Sequence, residues 1–313
     1  MRLCDSDVPR IGLGTNRLSY TDEHVAFIRA AVDAGIGHID TAHLYAGGES
    51  ETTIGAAFSP TAGDVVVATK GGYAPGMGRP DVLKGQIDES LQRLRADTIA
   101  LYYLHRVDPE TPLEESLGAI KEARDAGKIR HVGISDVTVE QIDRARAVVP
   151  IAAVQNHYSL TERKYGQEVD HCDREGIVFL PYFPLRGVQS PALDGIARRR
   201  GATTSQIALA WLLRRSPAML PIPGTLSLDH ARENLGALDI ELSDEEYDAL
   251  RRAVAPEQQD TGRRAAPRCD HGGAGAEHLP LPRLVAQLRH RLVEKAVTVG
   301  AALGQLATVR VHR

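Results

Sequence analysis

One grammar recurs along this chain and limits what it can fold into. A short, mostly apolar run ends on a polar residue, a loop follows, and then a helix closes, in several cases on glycine. Residues 10–14, 36–39, 65–69, 99–104, 129–134, 151–154, 177–182 and 218–222 read as strands. None alternates apolar with polar residues, as a sheet with one wet face must, so each is expected to be buried on both faces. That is the pattern of a parallel sheet covered by helices. Between the strands the period changes to the helical one. Val25, Ile28, Ala31 and Val32 form one face after the cap Thr21-Asp22, and Val82, Leu83, Ile87, Leu91 and Leu94 form another over residues 80–94. Thr111-x-x-Glu114, Thr138-x-x-Gln141 and Ser243-x-x-Glu246 read as capping boxes. Three helices end alike, immediately before a strand: Asp33-Ala34-Gly35, Asp125-Ala126-Gly127 and Arg174-Glu175-Gly176. Eight such units in roughly 250 residues predict an α/β chain forming a single-domain (β/α)8 barrel over residues 1–254. A doubly wound open sheet is the alternative.

In a barrel of this kind the site lies at the C-terminal strand ends. Those ends carry Asp40, Lys70, His105, Ser135, Gln155 with Asn156, Tyr182, and Gly224-Thr225. Tyr45 follows Asp40 by five residues, which carries it past the strand into the mouth. Each group has a bland reading: Asp40-Thr41 as a helix cap, Lys70 snorkelling to the rim, His105 as a core histidine. Together they form a proton-transfer set. A free tyrosine with a pKa near 10 is a poor acid or base at neutral pH. A buried ammonium beside it favours the phenolate, and a carboxylate keeps that ammonium charged. Lys70 can also be read as a Schiff-base nucleophile, which requires it to be neutral.

Several classes are excluded. Gly12-Leu13-Gly14-Thr15-Asn16-Arg17 nearly matches the dinucleotide fingerprint, but Arg17 takes the sixth place and no helix opens there. A net charge of −4 offers no basic surplus for nucleic acid. No apolar run approaches the roughly 18 residues of a membrane span, and the N-terminus lacks the apolar core of a signal peptide. Cys4, Cys172 and Cys269 lie far apart, and His171-Cys172 lacks ligand spacing, so neither a disulfide framework nor a metal site is expected. A cytoplasmic location fits.

From residue 10 to 254 the chain resembles an aldo-keto reductase. The matching motifs are D-T-A-x-x-Y at residues 40–45, Lys70, L-H-R at 104–106, V-G-I-S at 132–135, Gln155-Asn156, Y-F-P-L at 182–185 and I-P-G-T…E-N at 222–234. The resemblance implies NAD(P)H-dependent reduction of an aldehyde or ketone, with Tyr45 donating the proton, Lys70 and Asp40 tuning it, and His105 orienting the substrate. It places Ser135, Asp136 and Gln155 at the nicotinamide carboxamide and Tyr182 on the ring. Thr15, Leu185, Gly187, Gly224, Thr225, His230, Glu233 and Asn234 would line the rest of the cofactor groove. Asp136 stands where many members have asparagine. Gly224 and His230 stand where many have a lysine and an arginine for the 2′-phosphate. NADPH is the expected cofactor and NADH the alternative, with a small-molecule carbonyl substrate as partner, no nucleic acid or membrane, and a monomer or a homo-oligomer both open. A cofactor-sensing regulatory subunit is the alternative function. Asn16, Leu18, Tyr73, Arg106 and Tyr158 are expected at the pocket mouth. Residues 255–313 depart from the family as an atypical C-terminal extension: 255–278 read as disordered and 281–306 as a helix. That helix is either an appendage without a catalytic part or an oligomerisation or lid element.

Overall fold

The computed structural model describes residues 1–58, 65–187 and 190–253. The readings of 255–313 lie outside them. A hairpin of β1 (Arg2–Leu3) and β2 (Ser6–Asp7) precedes seven parallel strands in consecutive order. These are β3 (Leu13–Gly14), β4 (His38–Asp40), β5 (Val66–Gly71), β6 (Ile99–Leu104), β7 (Ile129–Ser135), β8 (Ile151–His157) and β9 (Val178–Tyr182). Helices return the chain between strands, among them α1 (Asp22–Asp33), α2 (Glu49–Phe58), α3 (Pro80–Leu94), α4 (Leu113–Asp125), α5 (Val139–Val148) and α6 (Gly166–Glu175). After β9 come α7 (Pro191–Arg200), α8 (Thr204–Arg215), α9 (Leu228–Leu235) and α10 (Asp244–Ala253).

The ring closes through residues 218–224, the expected eighth strand, which forms bridges rather than a continuous ladder. Phe179 pairs with Met219 and Gly14 with Gly224. Two prolines explain the interruption. The Leu220 and Ile222 amides donate to Phe179 and Pro181 on one side. On the other side Pro221 and Pro223 have no N–H, so they only accept, from Gly12 at 2.9 Å and Gly14 at 3.2 Å. The near-match to a dinucleotide fingerprint therefore serves barrel closure. Gly14 lies so close to this segment that a Cβ there would meet the Ile222 carbonyl at 2.9 Å.

Leu3 and Val8 pack with the buried strand residues Val66, Leu101, Tyr103 and Leu220, which plugs the end of the barrel opposite the site. A larger core fills the space between sheet and helices, with Trp211 fully inside it, stacked against Tyr158 and Tyr247. The boxes at Thr138 and Ser243 form as expected. The one at Thr111 does not: its hydroxyl donates to Asp108 Oδ2 at 3.0 Å, and α4 starts without a side-chain cap. Asp108 also accepts the Gly76, Gly78 and Glu110 amides, so the two loops after β5 and β6 are tied together. A buried carboxylate that gathers backbone donors outcompeted the local cap.

Candidate active site

Parallel register brings the strand ends to one level. Gly14 lies opposite Asp40, Lys70 opposite Tyr103, and Ser135 opposite Gln155. Asp40 is the last residue of β4, and its carbonyl accepts from the Thr15 hydroxyl at 2.8 Å. Ser50 of α2 bonds both Thr15 and the Thr41 hydroxyl, so three elements pin this turn. Tyr45 then opens a short 3-10 turn, in which Ala46 and Gly47 take left-handed conformations.

Lys70 lies inside β5 rather than beyond it and is wholly buried. Its Nζ donates to Asp40 Oδ1 at 2.5 Å and to the Thr41 carbonyl at 2.8 Å. The second Asp40 oxygen accepts from Gln155 Nε2 at 2.8 Å, so the carboxylate is satisfied on both sides. Burial pushes the Lys70 pKa down, but Asp40 and the Tyr45 phenol more than offset it, and the net shift is upward. The ammonium therefore stays charged. A Schiff-base lysine must be neutral, so that reading falls.

The Lys70 ammonium lies 5.1 Å from the Tyr45 ring centroid. Burial raises the phenol most; Lys70 pulls it down and Asp40 pushes it up, and the net direction is upward from 10.0. The expectation that the ammonium would favour phenolate is thus outweighed by desolvation. The Tyr45 phenol therefore stays protonated at neutral pH. His105, at the end of β6, is edge-on to Tyr45 at 6.0 Å and to Tyr73 at 4.9 Å. Burial, helped by the charges of Lys70 and Arg106, holds its pKa down at about 2, so the imidazole is neutral. Its Nδ1 is buried without a hydrogen-bond partner among the described residues. A lone pair left there costs less than an unpaired N–H, which favours the tautomer protonated on Nε2.

These groups open on a cavity of about 800 Å³. Thr15, Ser135, Asp136, Gln155, Tyr182, Leu185 and Gly224 line it, as do Asn16, Tyr73 and Arg106. Leu18 and Tyr158 do not; both are core residues, and the mouth reading for them is corrected by their burial. Gly187, Thr225, His230, Glu233 and Asn234 are also not among the lining residues. Gly187 packs against Thr161, Glu233 accepts from the Thr203 hydroxyl at 2.7 Å, and His230 is exposed on α9. Leu44, Phe183 and Arg186 also line the cavity; the sequence reading assigns no role to any of them, and Phe183 enters it only as a letter of the Y-F-P-L motif. Their signal is weak: each sits on an irregular loop, and the backbone of Phe183 is left-handed with φ of 50°.

Asp136 adopts the left-handed region with φ of 55°. It accepts from the Tyr182 hydroxyl at 2.7 Å and faces Arg106 Nε at 3.3 Å. Tyr182 is stacked on His157 at 5.3 Å and 11°. The ring is thus clamped from behind and by its hydroxyl.

The sequence and the fold that carry this barrel mouth are matched by known proteins. A sequence model described as "Aldo/keto reductase family" matches residues 10–191 and 188–255. The chain belongs to that family. This reductase is 34% identical over 268 residues to pyridoxine 4-dehydrogenase of Escherichia coli, covering 78% of this chain and 94% of that one. It is 36% identical over 271 residues to an uncharacterized oxidoreductase of Schizosaccharomyces pombe, covering 80% and 88%. The crystal structure of an aldo/keto reductase from Klebsiella pneumoniae in complex with NADP and acetate superposes with a TM-score of 0.74 at 31% identity, covering 83% of this chain and 96% of that one. The chain is accordingly an oxidoreductase acting on carbonyl groups. Among its described residues no helix is long and apolar enough to cross a membrane.

Proposed function

We propose that this aldo/keto reductase converts an aldehyde or ketone to the alcohol with NADPH, and that Tyr45 donates the proton. The observation that carries the reading is the protonated Tyr45 phenol over the charged Lys70–Asp40 pair at the cavity floor. The reduced nicotinamide, when bound, supplies the hydride to the carbonyl carbon. Tyr45 gives its proton to the carbonyl oxygen, and Lys70 then stabilises the phenolate left behind. Gln155 and the Thr41 carbonyl hold Asp40 and Lys70 so that this charge cannot relax elsewhere. His105 Nε2, as a neutral donor, holds the carbonyl oxygen beside the phenol. The proton is replaced from solvent, so one carbonyl, one NADPH and one proton give one alcohol and one NADP.

The cavity wall suits the cofactor. Ser135 is buried on it, and among the described residues its hydroxyl makes no hydrogen bond, which leaves it for a carboxamide. Tyr182 offers a clamped ring for stacking. At the segment where Gly224 and His230 replace basic residues, Arg17 arrives from the loop after β3 and donates to the Gly224 carbonyl at 3.2 Å. It supplies a cation that the sequence comparison along this segment alone does not show. One charge-assisted contact corresponds to a preference of about tenfold, so NADPH should exceed NADH in kcat/KM by about that factor. Parallel assays of cofactor oxidation with a reactive aromatic aldehyde test both points. Equal use of the two cofactors would remove the 2′-phosphate from the argument, and no turnover with either would sink the reductase reading.

The two pKa directions also predict a pH profile. Reduction needs protonated Tyr45, so activity should be full at low and neutral pH and fall as pH rises through a phenol value above 10.0. His105 is neutral throughout and adds no limb near 6.5. A kcat/KM profile with an inflection there, abolished by His105→Gln, would show that the imidazole titrates in catalysis.

A further inference from the structure

Arg106 follows His105 at the end of β6 and projects onto the cavity wall, with its side chain 48% exposed. Two contacts fix its guanidinium. The Tyr73 ring lies under its Cζ at 4.6 Å, and Asp136 Oδ2 lies 3.3 Å from its Nε. Neither uses up its donors: among the described residues the group makes no hydrogen bond, although a guanidinium carries five N–H donors in a planar fork. Tyr73 itself packs edge-on to His105, so the fork is held on the same side of the cavity as the proton donor. The surrounding charges favour an anion. Of the acids lining the cavity, Asp40 is bonded by Lys70 and Gln155, and Asp136 by Tyr182. Arg186 also lines the cavity, above Phe183, without a carboxylate partner among the described residues. A neutral carbonyl compound would leave the Arg106 fork idle.

We propose that Arg106 is the receptor for a carboxylate on the substrate, so that the preferred substrates are aldehydes or ketones that are themselves carboxylate anions. This rests on the reductase reading of the same site. With the Tyr73 ring under Cζ and Asp136 facing Nε, the two terminal nitrogens are left for a ligand in the cavity that Arg106 lines, and their fork matches a carboxylate bidentately. The interaction orders the substrate without entering the chemistry, so it should act mainly through KM.

The test uses aldehydes that differ only in charge: 4-oxobutanoate against its methyl ester, and 4-carboxybenzaldehyde against methyl 4-formylbenzoate. Each is assayed with saturating NADPH in wild type, Arg106→Gln and Arg106→Lys. For wild type the acid should exceed its ester in kcat/KM by about 10- to 100-fold in at least one pair, with the difference in KM and shrinking as salt is added. The acid-to-ester ratio should fall to about one or below in Arg106→Gln and recover in part in Arg106→Lys. Equal use of acid and ester by wild type, or a ratio that Arg106→Gln leaves unchanged, would overturn the proposal while ester turnover still upheld the reductase. A raised KM for NADPH with an unchanged ratio would assign Arg106 to the cofactor and overturn it as well. No turnover of any of these aldehydes would overturn both readings together.

Discussion

Replacing Tyr45 with phenylalanine is expected to lower kcat by about 10²- to 10⁴-fold, the usual scale for losing a positioned general acid. The substitution removes one oxygen and leaves the ring. The Lys70–Asp40 pair and its bonds to Thr41 and Gln155 remain, so the variant should fold, melt close to wild type and bind NADPH. No other group near the carbonyl is suited to the task. Lys70 is wholly buried and held by Asp40, and the neutral His105 holds its proton too weakly in the charged form to act as an acid at neutral pH. Single-turnover rates with saturating cofactor make the comparison. A loss of only a few-fold would mean that a water or His105 delivers the proton.

Lys70→Met should be costly in a different way. It leaves the Asp40 carboxylate, 2% exposed, with Gln155 as its remaining side-chain partner. Breaking a buried pair by removing one member costs about 3–5 kcal/mol, because the surviving charge stays buried. In a domain of this size that corresponds to a fall in Tm of roughly 6–20 °C. Activity should fall too, since nothing remains to stabilise the Tyr45 phenolate. The double variant Lys70→Met/Asp40→Asn separates the two effects. Removing the orphaned charge should restore part of the lost stability, and it should restore none of the activity. A single variant as stable as wild type would show that Asp40 is hydrated rather than buried.

What the sequence made legible follows from how local each signal is. Strand ends could be read because a buried parallel strand is an apolar run, and the first polar residue after it marks the mouth. Asp40, Lys70 and His105 were found this way. The partner of Asp40 on its other side was not, because Gln155 is 115 positions away and only barrel closure brings it within 2.8 Å. The direction of the Tyr45 shift failed for a related reason. Counting nearby charges favours phenolate, whereas the desolvation that wins depends on how tightly the mouth packs. Leu18 and Tyr158 follow motif residues in the chain but turn into the core, and loop direction is not encoded in apolar period. The Thr111 box matched its pattern and still gave way to Asp108, which collects backbone donors from two loops. A local motif yields wherever a long-range partner satisfies more groups.

The proline-bearing segment that completes the ring has a consequence for where this molecule is mechanically soft. The pairs from β3–β4 to β8–β9 are joined by ladders, whereas both joins of the closing segment rest on isolated bridges, and across the one to β3 residues 221 and 223 contribute only acceptors. Fewer bonds across one junction make it the place where the hoop parts at least cost. That junction borders the cavity through Gly14, Ile222, Pro223 and Gly224. The rigid arc from β4 to β8 carries Asp40, Lys70, His105 and Gln155, so widening at the seam leaves the proton-transfer groups in register. The barrel thus behaves as a split collar, stiff where chemistry demands fixed distances and yielding where a long ligand has to be admitted.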